Sequence, residues 1–379
     1  MAERIIVTGG AGFIGSHVVD MLVEHGYDVT IFDSLTPQVH GAAQEPPNYL
    51  NKNAGFICAD VRDRASFHKA LANKDIIIHL AAAVGVGQSM YQVREYVDVN
   101  SLGTANLLDI VVNESAVKPR KIIVASSMSA YGEGKYTCER CGVVYPKLRP
   151  YAQLEARRWE MECPTCGTDA PPLTPTPTDE DKPLFPTSVY AVTKRDQEEL
   201  VLSTCWNYKI PGVALRFFNV FGHRQALSNP YTGVAAIFLS RLLNNKAPIL
   251  YEDGKQSRDF IHVSDIAQAI LLAVERPEAD FHALNVGTGR AVSVLDMYDR
   301  LARFLGKDEL RPIMPHKFRA GDIRHCSADI SKIQRLLGFK PKIDLEKGVE
   351  ILVDWATEQQ PVDRVEQAAR ELENHGLTT

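Results

Sequence analysis

Short apolar runs alternate with stretches of helical period through the first half of the chain. The segments "RIIVTG" (4–9), "DVTIFD" (28–33), "AGFICAD" (54–60), "DIIIHLAA" (75–82) and "KIIVASS" (121–127) are rich in β-branched residues and too continuous to alternate. That is the pattern of strands buried on both faces. Residues 13–25, 63–72 and 98–113, lying between them, read as helices. Such strand–helix alternation predicts an α/β fold built on a doubly wound parallel sheet. A further helix is predicted over 188–206, and a further strand over "GVALRFFNV" (212–220). Beyond 221 the pattern becomes irregular, with helices at 264–275, 293–305 and 344–357. The last stretch, 361–379, is polar and reads as a frayed surface helix. No internal repeat is visible.

Residues 133–187 break this rhythm. They are rich in proline, polar residues and paired cysteines, and no strand–helix unit fits them. "PPLTPTPTDEDKPLFP" (171–186) closes the stretch as an extended linker. The organisation that follows is a first domain over 1–220, interrupted by the 133–187 insert. After it come a smaller C-terminal region over 221–357, mainly for substrate, and a polar tail over 358–379.

Composition acts mainly by exclusion. A chain of 379 residues can form one large domain or two intimate ones. The net charge of -5 gives no general reason to expect nucleic acid or an anionic membrane as partner. No run of about 18 apolar residues exists, so no membrane span is expected. "MAERIIVTGG" runs straight into a strand without a secretory leader, which predicts a cytoplasmic protein. In a reducing cytosol its seven cysteines are metal ligands or buried thiols before they are disulfides.

"VTGGAGFIGSH" (7–17) places Gly9, Gly12 and Gly15 directly after a strand and at the start of a helix. Glycine there permits a tight turn, close approach of backbone to a pyrophosphate, and tight helix–strand packing. The first helical residues, Phe13 and Ile14, lie where unpaired amides and a positive dipole end would meet the phosphates. Asp33 closes the second strand 18 residues after Gly15. A carboxylate at that point can bind the adenosine ribose hydroxyls and would repel a 2′-phosphate, which favours NAD over NADP. The 1–220 domain is therefore read as a Rossmann-type NAD-binding domain.

"SVYAVTK" puts Tyr190 and Lys194 on one face of a predicted helix. A cation beside a phenol favours the phenolate, so Tyr190 could serve as a base near neutral pH. "ASSMSAYG" ends the fifth strand at its carboxyl edge, where doubly wound sheets place their sites. Ser127 is the candidate to hydrogen-bond the reacting hydroxyl, with Ser126 and Ser129 serving as strand-end or turn residues.

With these segments the chain resembles the extended short-chain dehydrogenases/reductases that act on nucleotide sugars. The resemblance rests on "TGGAGFIGS", "HLAA" (79–82), "SSMSAYG", "YAVTK", "RFFNVFG" (216–222), "RDFIHVSD" (258–265), "NVGTG" (285–289) and "RAGDIRHCSAD" (319–329). It implies that Asp60 and Val61 sit near the adenine and that Leu80, Ala81 and Ala82 run along the cofactor. It also implies that Asn219, Arg258, Arg319 and Asp322 hold the sugar nucleotide, with the arginine forks suited to a diphosphate. A homodimer built on helices near 98–113 and 188–206 is implied as well. The 4,6-dehydratases of this family carry an Asp-Glu pair after the catalytic hydroxyl residue, where this chain has Met128 and Ser129. Without such carboxylates the expected outcome is 4-epimerisation through a transient keto sugar. A dehydrogenase that releases its product is the nearest alternative. A catalytically idle NAD-binding sensor or docking protein is the alternative from another class.

Cys138, Cys141, Cys163 and Cys166 form two C-x2-C pairs separated by 21 residues, each pair followed by glycine. This spacing predicts a tetrahedral, structural zinc site, with iron the chemical alternative. Metal binding would supply folding energy to a segment too polar for its own core, and the insert is expected to form a lid or an oligomer contact beside the site. A nucleic-acid-binding zinc ribbon is disfavoured, since the five Lys/Arg and four Glu between Cys138 and Cys166 nearly balance. Within the family, an insert of this kind resembles that of a subgroup acting on dTDP-L-rhamnose. Cys58, Cys205 and Cys326 are isolated and read as small buried hydrophobes.

Overall fold

The β-branched runs of the first half pair side by side in a computed structural model that describes residues 2–42, 45–169, 171–319 and 321–378. Across the sheet the order is His282–Val286, Gly212–Phe217, Lys121–Ser127, Ile76–His79, Arg4–Thr8, Asp28–Asp33 and Gly55–Cys58. Every neighbouring pair is parallel. The strand order reverses between Arg4–Thr8 and Ile76–His79, which opens a crevice at their carboxyl ends. His282–Val286 escapes the sequence reading because its apolar run is interrupted by Asn285, which is nevertheless wholly buried.

Alternation along each strand sends side chains to two cores. Ile5, Val7, Ile78 and Ile123 pack with residues of Phe13–Glu24 and Val263–Glu275 on one face. Ile6, Phe32, Ile77 and Ile122 pack with Arg64–Leu71, Gly103–Asn113 and Val189–Tyr208 on the other. A third core joins Val234–Leu243, Val294–Leu305 and Leu345–Thr357. The chain beyond 221 thus returns a helix and a strand to the large sheet as well as forming its own helical cluster. Among the described residues no helix is long and apolar enough to cross a membrane.

Two segments are more ordered than the sequence suggests. In the insert, Gly142–Val144, Lys135–Cys138 and Thr174–Thr176 form an antiparallel sheet over a small core of Tyr136, Val144, Met161, Leu173 and three of the cysteines. Its proline-rich exit is pinned rather than free. Thr178 exchanges backbone hydrogen bonds with Ser327 and Asp329, and the Lys182 ammonium is buried, donating to the Tyr131 and Pro183 carbonyls. The tail likewise holds a docked helix, Val365–Asn374, with Ala368 and Leu372 buried. Both Tyr91 and Tyr231 donate to Glu371, at 2.9 and 2.5 Å. Two apolar contacts per helix are too sparse a signal to reveal docking, which here is completed by polar bonds.

One buried ion pair seats the long helix Val189–Tyr208 against the sheet. Arg216 gives Nε and Nη2 to the Glu198 carboxylate at 3.0 and 2.6 Å, and both side chains are almost fully buried. Breaking such a pair strands a charge in low dielectric. Glu198→Ala is therefore expected to lose about 3–5 kcal/mol of stability, measured by denaturant unfolding.

Candidate active site

The glycine turn has little room to be anything else. Gly9 adopts φ +69°, and a Cβ there would lie 2.8 Å from the Ala81 amide nitrogen. A Cβ on Gly15 would lie 2.1 Å from the Gly9 carbonyl. By contrast a Cβ on Gly12 would meet only the Gly9 carbonyl, at 3.3 Å, so this side of the turn faces open space. Gly12 caps Phe13–Glu24 with no side-chain hydrogen bond and no acidic residue follows in the first turn. The donors at Phe13 and Ile14 therefore meet no competing carboxylate, and the turn fits a pyrophosphate.

Asp33 stands beside this turn. Its Oδ2 accepts from the Ala11 amide at 3.0 Å and its Oδ1 from Leu35 at 2.9 Å, so it ties the glycine turn to the following loop. Each oxygen retains a lone pair for a hydroxyl donor. Leu80, Ala81 and Ala82 follow Ile76–His79 at the crevice, and the Ala81 amide donates to Thr8 Oγ1 at 3.2 Å. The Asp60 carboxylate is committed to Arg62, taking its amide at 2.8 Å and its guanidinium at 3.0 and 2.7 Å. Val61 is buried against Gly103.

Ser127 ends the strand Lys121–Ser127 and caps a short turn. Its Oγ accepts from the Ser129 amide at 3.1 Å and the Ser129 hydroxyl at 2.9 Å. Two accepted bonds leave its own proton to be donated outward. Burial raises the Tyr190 phenol above its ordinary value, and the Ser127 side chain works in the opposite direction. The direct cation–phenol pairing expected from the sequence is not what the geometry shows. Lys194 Nζ donates to Gln197 Oε1 at 2.7 Å, and burial lowers its pKa to about 7, against the pull of Glu198.

Gln197 opens a buried polar chain that sequence reading missed. Its Nε2 donates to Thr104 Oγ1 at 2.9 Å, which lies 3.1 Å from His79 Nε2, and His79 Nδ1 lies 2.8 Å from Thr8 Oγ1. Asn100 was also missed. It sits in the π-helical stretch Val97–Leu102, where an extra residue per turn re-aims side chains and often marks a site. Its side chain bonds both backbone groups of Ala83 and the Thr193 hydroxyl. The only sequence signal was one asparagine within an amphipathic helical run.

The four expected sugar-nucleotide anchors lie around the crevice in different states. Asn219 Oδ1 is buried with no hydrogen-bond partner, an acceptor left for a ligand donor. Arg319 donates to Asp322 Oδ2 at 3.0 Å and stacks 4.5 Å from the Tyr251 ring centre. The Arg258 fork is engaged on the carbonyls of Ser257, Ile323 and Arg324. It therefore clasps the 323–324 backbone. Thr187, three residues before Tyr190, donates to the Gly321 carbonyl at 3.1 Å and joins the start of the Val189–Tyr208 helix to the segment that carries Arg319 and Asp322.

The ligand atoms of Cys138, Cys141, Cys163 and Cys166 lie within 4.8 Å of one another. Sγ of Cys141 is 3.8 Å from Cys163, the edge of about 3.8 Å that tetrahedral bonds of about 2.3 Å demand, and 3.0 Å from Cys166, a closer approach. Gly142 and Gly167 take φ +73° and +61°, and the Cys166 amide, 3.4 Å from Cys163 Sγ, holds that thiol down to about 7. These are the turns and donors of a metal knuckle. Of the isolated cysteines, Cys205 and Cys326 are buried, whereas Cys58 is exposed at the end of an outer strand.

A glycine cradle, a serine beside a tyrosine, and a YxxxK helix on one doubly wound sheet point to one group of proteins. Residues 5–156 and 165–287 match the sequence profile of the NAD dependent epimerase/dehydratase family. The chain belongs to that family. It is 37% identical over 360 residues, covering 94% of this chain and 96% of the relative, to dTDP-L-rhamnose 4-epimerase of Burkholderia thailandensis. It is 34% identical to a putative UDP-glucose 4-epimerase of Methanocaldococcus jannaschii, covering 93% and 97%. Among solved structures, UDP-glucuronic acid 4-epimerase of Bacillus cereus, in complex with UDP-glucuronic acid and NAD, has TM-score 0.76 and 27% identity, covering 94% and 99%. UDP-N-acetylglucosamine 4-epimerase of Methanobrevibacter ruminantium, in complex with UDP-N-acetylmuramic acid, has TM-score 0.75 and 31% identity, covering 95% and 100%. Membership of the epimerase/dehydratase family makes the chain an NAD-dependent enzyme.

The lowered Lys194 has a consequence for stability. Between about 7 in the folded protein and about 10.4 in an unfolded chain, the unfolded state binds the extra proton. Stability should therefore rise with pH across that window and be least below it. Lys194→Met should flatten this rise, on the order of a few kcal/mol, in unfolding midpoints taken from pH 6.5 to 10.

Proposed function

We propose that this chain is a nucleotide-sugar 4-epimerase interconverting dTDP-L-rhamnose and dTDP-6-deoxy-L-talose. NAD is held at Gly9, Gly12, Phe13, Ile14, Gly15, Asp33, Asp60, Val61, Leu80, Ala81, Ala82, Tyr190 and Lys194. The observation that carries the reading is what stands beside the Ser127–Tyr190 pair. Met128 packs with Tyr131, Phe218 and Ile323, and the Ser129 hydroxyl is spent on Ser127, so neither residue supplies the acid and base that dehydration needs. The rhamnose assignment is supported by the relative of that name and by the cysteine insert.

In this reading Tyr190 takes the proton from the sugar hydroxyl, and the outward-directed Ser127 proton bridges the two oxygens. NAD, when bound in the glycine cradle, would supply the hydride acceptor and donor that epimerisation needs. Lys194, buried on the same helix as Tyr190, orients the cofactor. Asn219, Arg258, Arg319 and Asp322 hold the nucleotide while the keto sugar moves. Zinc at Cys138, Cys141, Cys163 and Cys166 organises the insert. The protein works as a homodimer in the cytoplasm. Exposed Val93, Val97 and Leu102, together with Val192 on the adjoining catalytic helix, support a helical contact between two copies.

Proton NMR of the purified protein with dTDP-L-rhamnose and no added cofactor should show a second sugar with inverted configuration at C4. Tyr190→Phe should lower turnover by about 10²-fold or more, in the range of a lost general base, while retaining NAD. Accumulating NADH without a new epimer would instead identify a dehydrogenase. Unchanged behaviour of Tyr190→Phe would identify a non-catalytic role. Metal analysis should find about one zinc per chain, lost in Cys138→Ser together with thermal stability of the insert.

A further inference from the structure

Arg149 lies in the insert and Glu252 in the loop before Ser257–Arg258, yet each side chain is only 1% exposed. Arg149 Nη1 and Nη2 meet the two Glu252 oxygens at 2.9 and 2.7 Å. The same guanidinium donates to the Asp322 carbonyl at 3.1 Å and the Trp159 carbonyl at 2.8 Å. Glu252 Oε2 is shared with Arg324 at 3.0 Å, and Arg324 continues to Asp253 at 2.6 Å and to Glu160 of the insert at 2.5 Å. Above this network Tyr151 and Trp159 of the insert pack on Phe318, with ring centres 5.2 and 6.4 Å apart.

Glu252 also adopts φ +56°, a left-handed backbone that costs a side-chain-bearing residue about 1–2 kcal/mol and a glycine almost nothing. A side chain is kept there despite the strain, and its contacts give the reason: the carboxylate holds two buried guanidiniums. Its neighbour Tyr251 carries the Arg319 stack, and Arg319 in turn holds Asp322.

We propose that Arg149 and Glu252 are positioning residues for the nucleotide half of the substrate. Through them the cysteine-bearing insert fixes Tyr251, Arg319 and Asp322 in one rigid block at the crevice. This deepens the nucleotide-sugar reading and rests on it. A buried ion pair contributes little net stability compared with apolar packing, but its bidentate geometry sets position sharply.

The test is calorimetric titration of the full-length, NAD-loaded protein with dTDP and with UDP, for wild type, Arg149→Met, Glu252→Gly and the double variant. Arg149→Met leaves Glu252 paired with Arg324, so it carries the test even where Glu252→Gly, which strands two buried guanidiniums, fails to fold. Each single variant should weaken nucleotide binding by about tenfold or more, and the double variant no further than the weaker single. KM should rise by a similar factor while kcat changes less than about threefold, with NAD and metal content unchanged. Wild-type affinity in a folded variant overturns the proposal, as does a loss of NAD in parallel with the loss of nucleotide. A wild-type protein that binds neither dTDP nor UDP overturns the nucleotide-sugar reading itself, and the proposal with it.

Discussion

The arrangement around Ser127 and Tyr190 depends on a guanidinium almost fully withdrawn from water. Arg216, near the end of Gly212–Phe217, bonds the Glu198 carboxylate, the Tyr131 hydroxyl at 2.7 Å and the Glu180 carbonyl at 3.2 Å. One side chain thereby joins the sheet, the helix of Tyr190 and Lys194, the turn that follows Ser127 and the exit of the insert. Tyr131 passes the connection on to Asn285 Oδ1 at 2.8 Å. Because a buried charge requires its partners in place, these elements are not free to shift separately. Ser127 and Tyr190 lie on elements that this group joins across the fold, although a long segment of chain separates them in sequence.

Burial then defines the chemistry available there. It favours the neutral form of both Tyr190 and Lys194, and it drives His79, at the far end of the polar chain, down to about 3. A row of neutral donors and acceptors can pass hydrogen bonds along without fixing a charge. The phenol is then tuned from the other side, by the Ser127 proton and by the positive ring of an oxidised nicotinamide.

Much of this was legible in the sequence because the responsible residues obey local rules. Gly9 and Gly15 had to be glycine for reasons of backbone approach, Tyr190 and Lys194 share a helical face, and the two C-x2-C pairs carry their own spacing. What was not legible depends on partners distant in sequence. Glu252 is one charged residue among many until Arg149 and Arg324 are seen around it. Asn100 is unremarkable until its helix widens by one residue. The tail around Val365–Asn374 presents only Ala368 and Leu372 to the body, and its docking is completed by hydroxyls from Tyr91 and Tyr231. Arg258 and Asp60 have side chains suited to ligands, and each is also held by protein partners that their sequence neighbourhood does not announce.

A 4-epimerase faces opposing requirements, since the keto sugar must turn while its nucleotide stays in place. Rigidity should therefore be unevenly distributed, and the chemistry of the two ends differs in that sense. Around Tyr251, Arg319 and Asp322 the contacts are charged and backed by the cysteine-bearing insert through the bidentate Arg149–Glu252 pair. Along 81–87, by contrast, the chain runs through small residues with no charged group. Gly85 is held at φ +143°, where a Cβ would lie 2.8 Å from the Tyr96 hydroxyl, and Gly87 has Leu372 of the tail helix against it. On the proposed reading, such small apolar residues would offer a turning sugar few hydrogen bonds to break, whereas the ionic block would offer a diphosphate a fixed frame. By the same reading, an insert placed between Ser127 and Tyr190 in sequence, but bonded in space to Glu252 and Asp322, stiffens the frame that would hold the nucleotide.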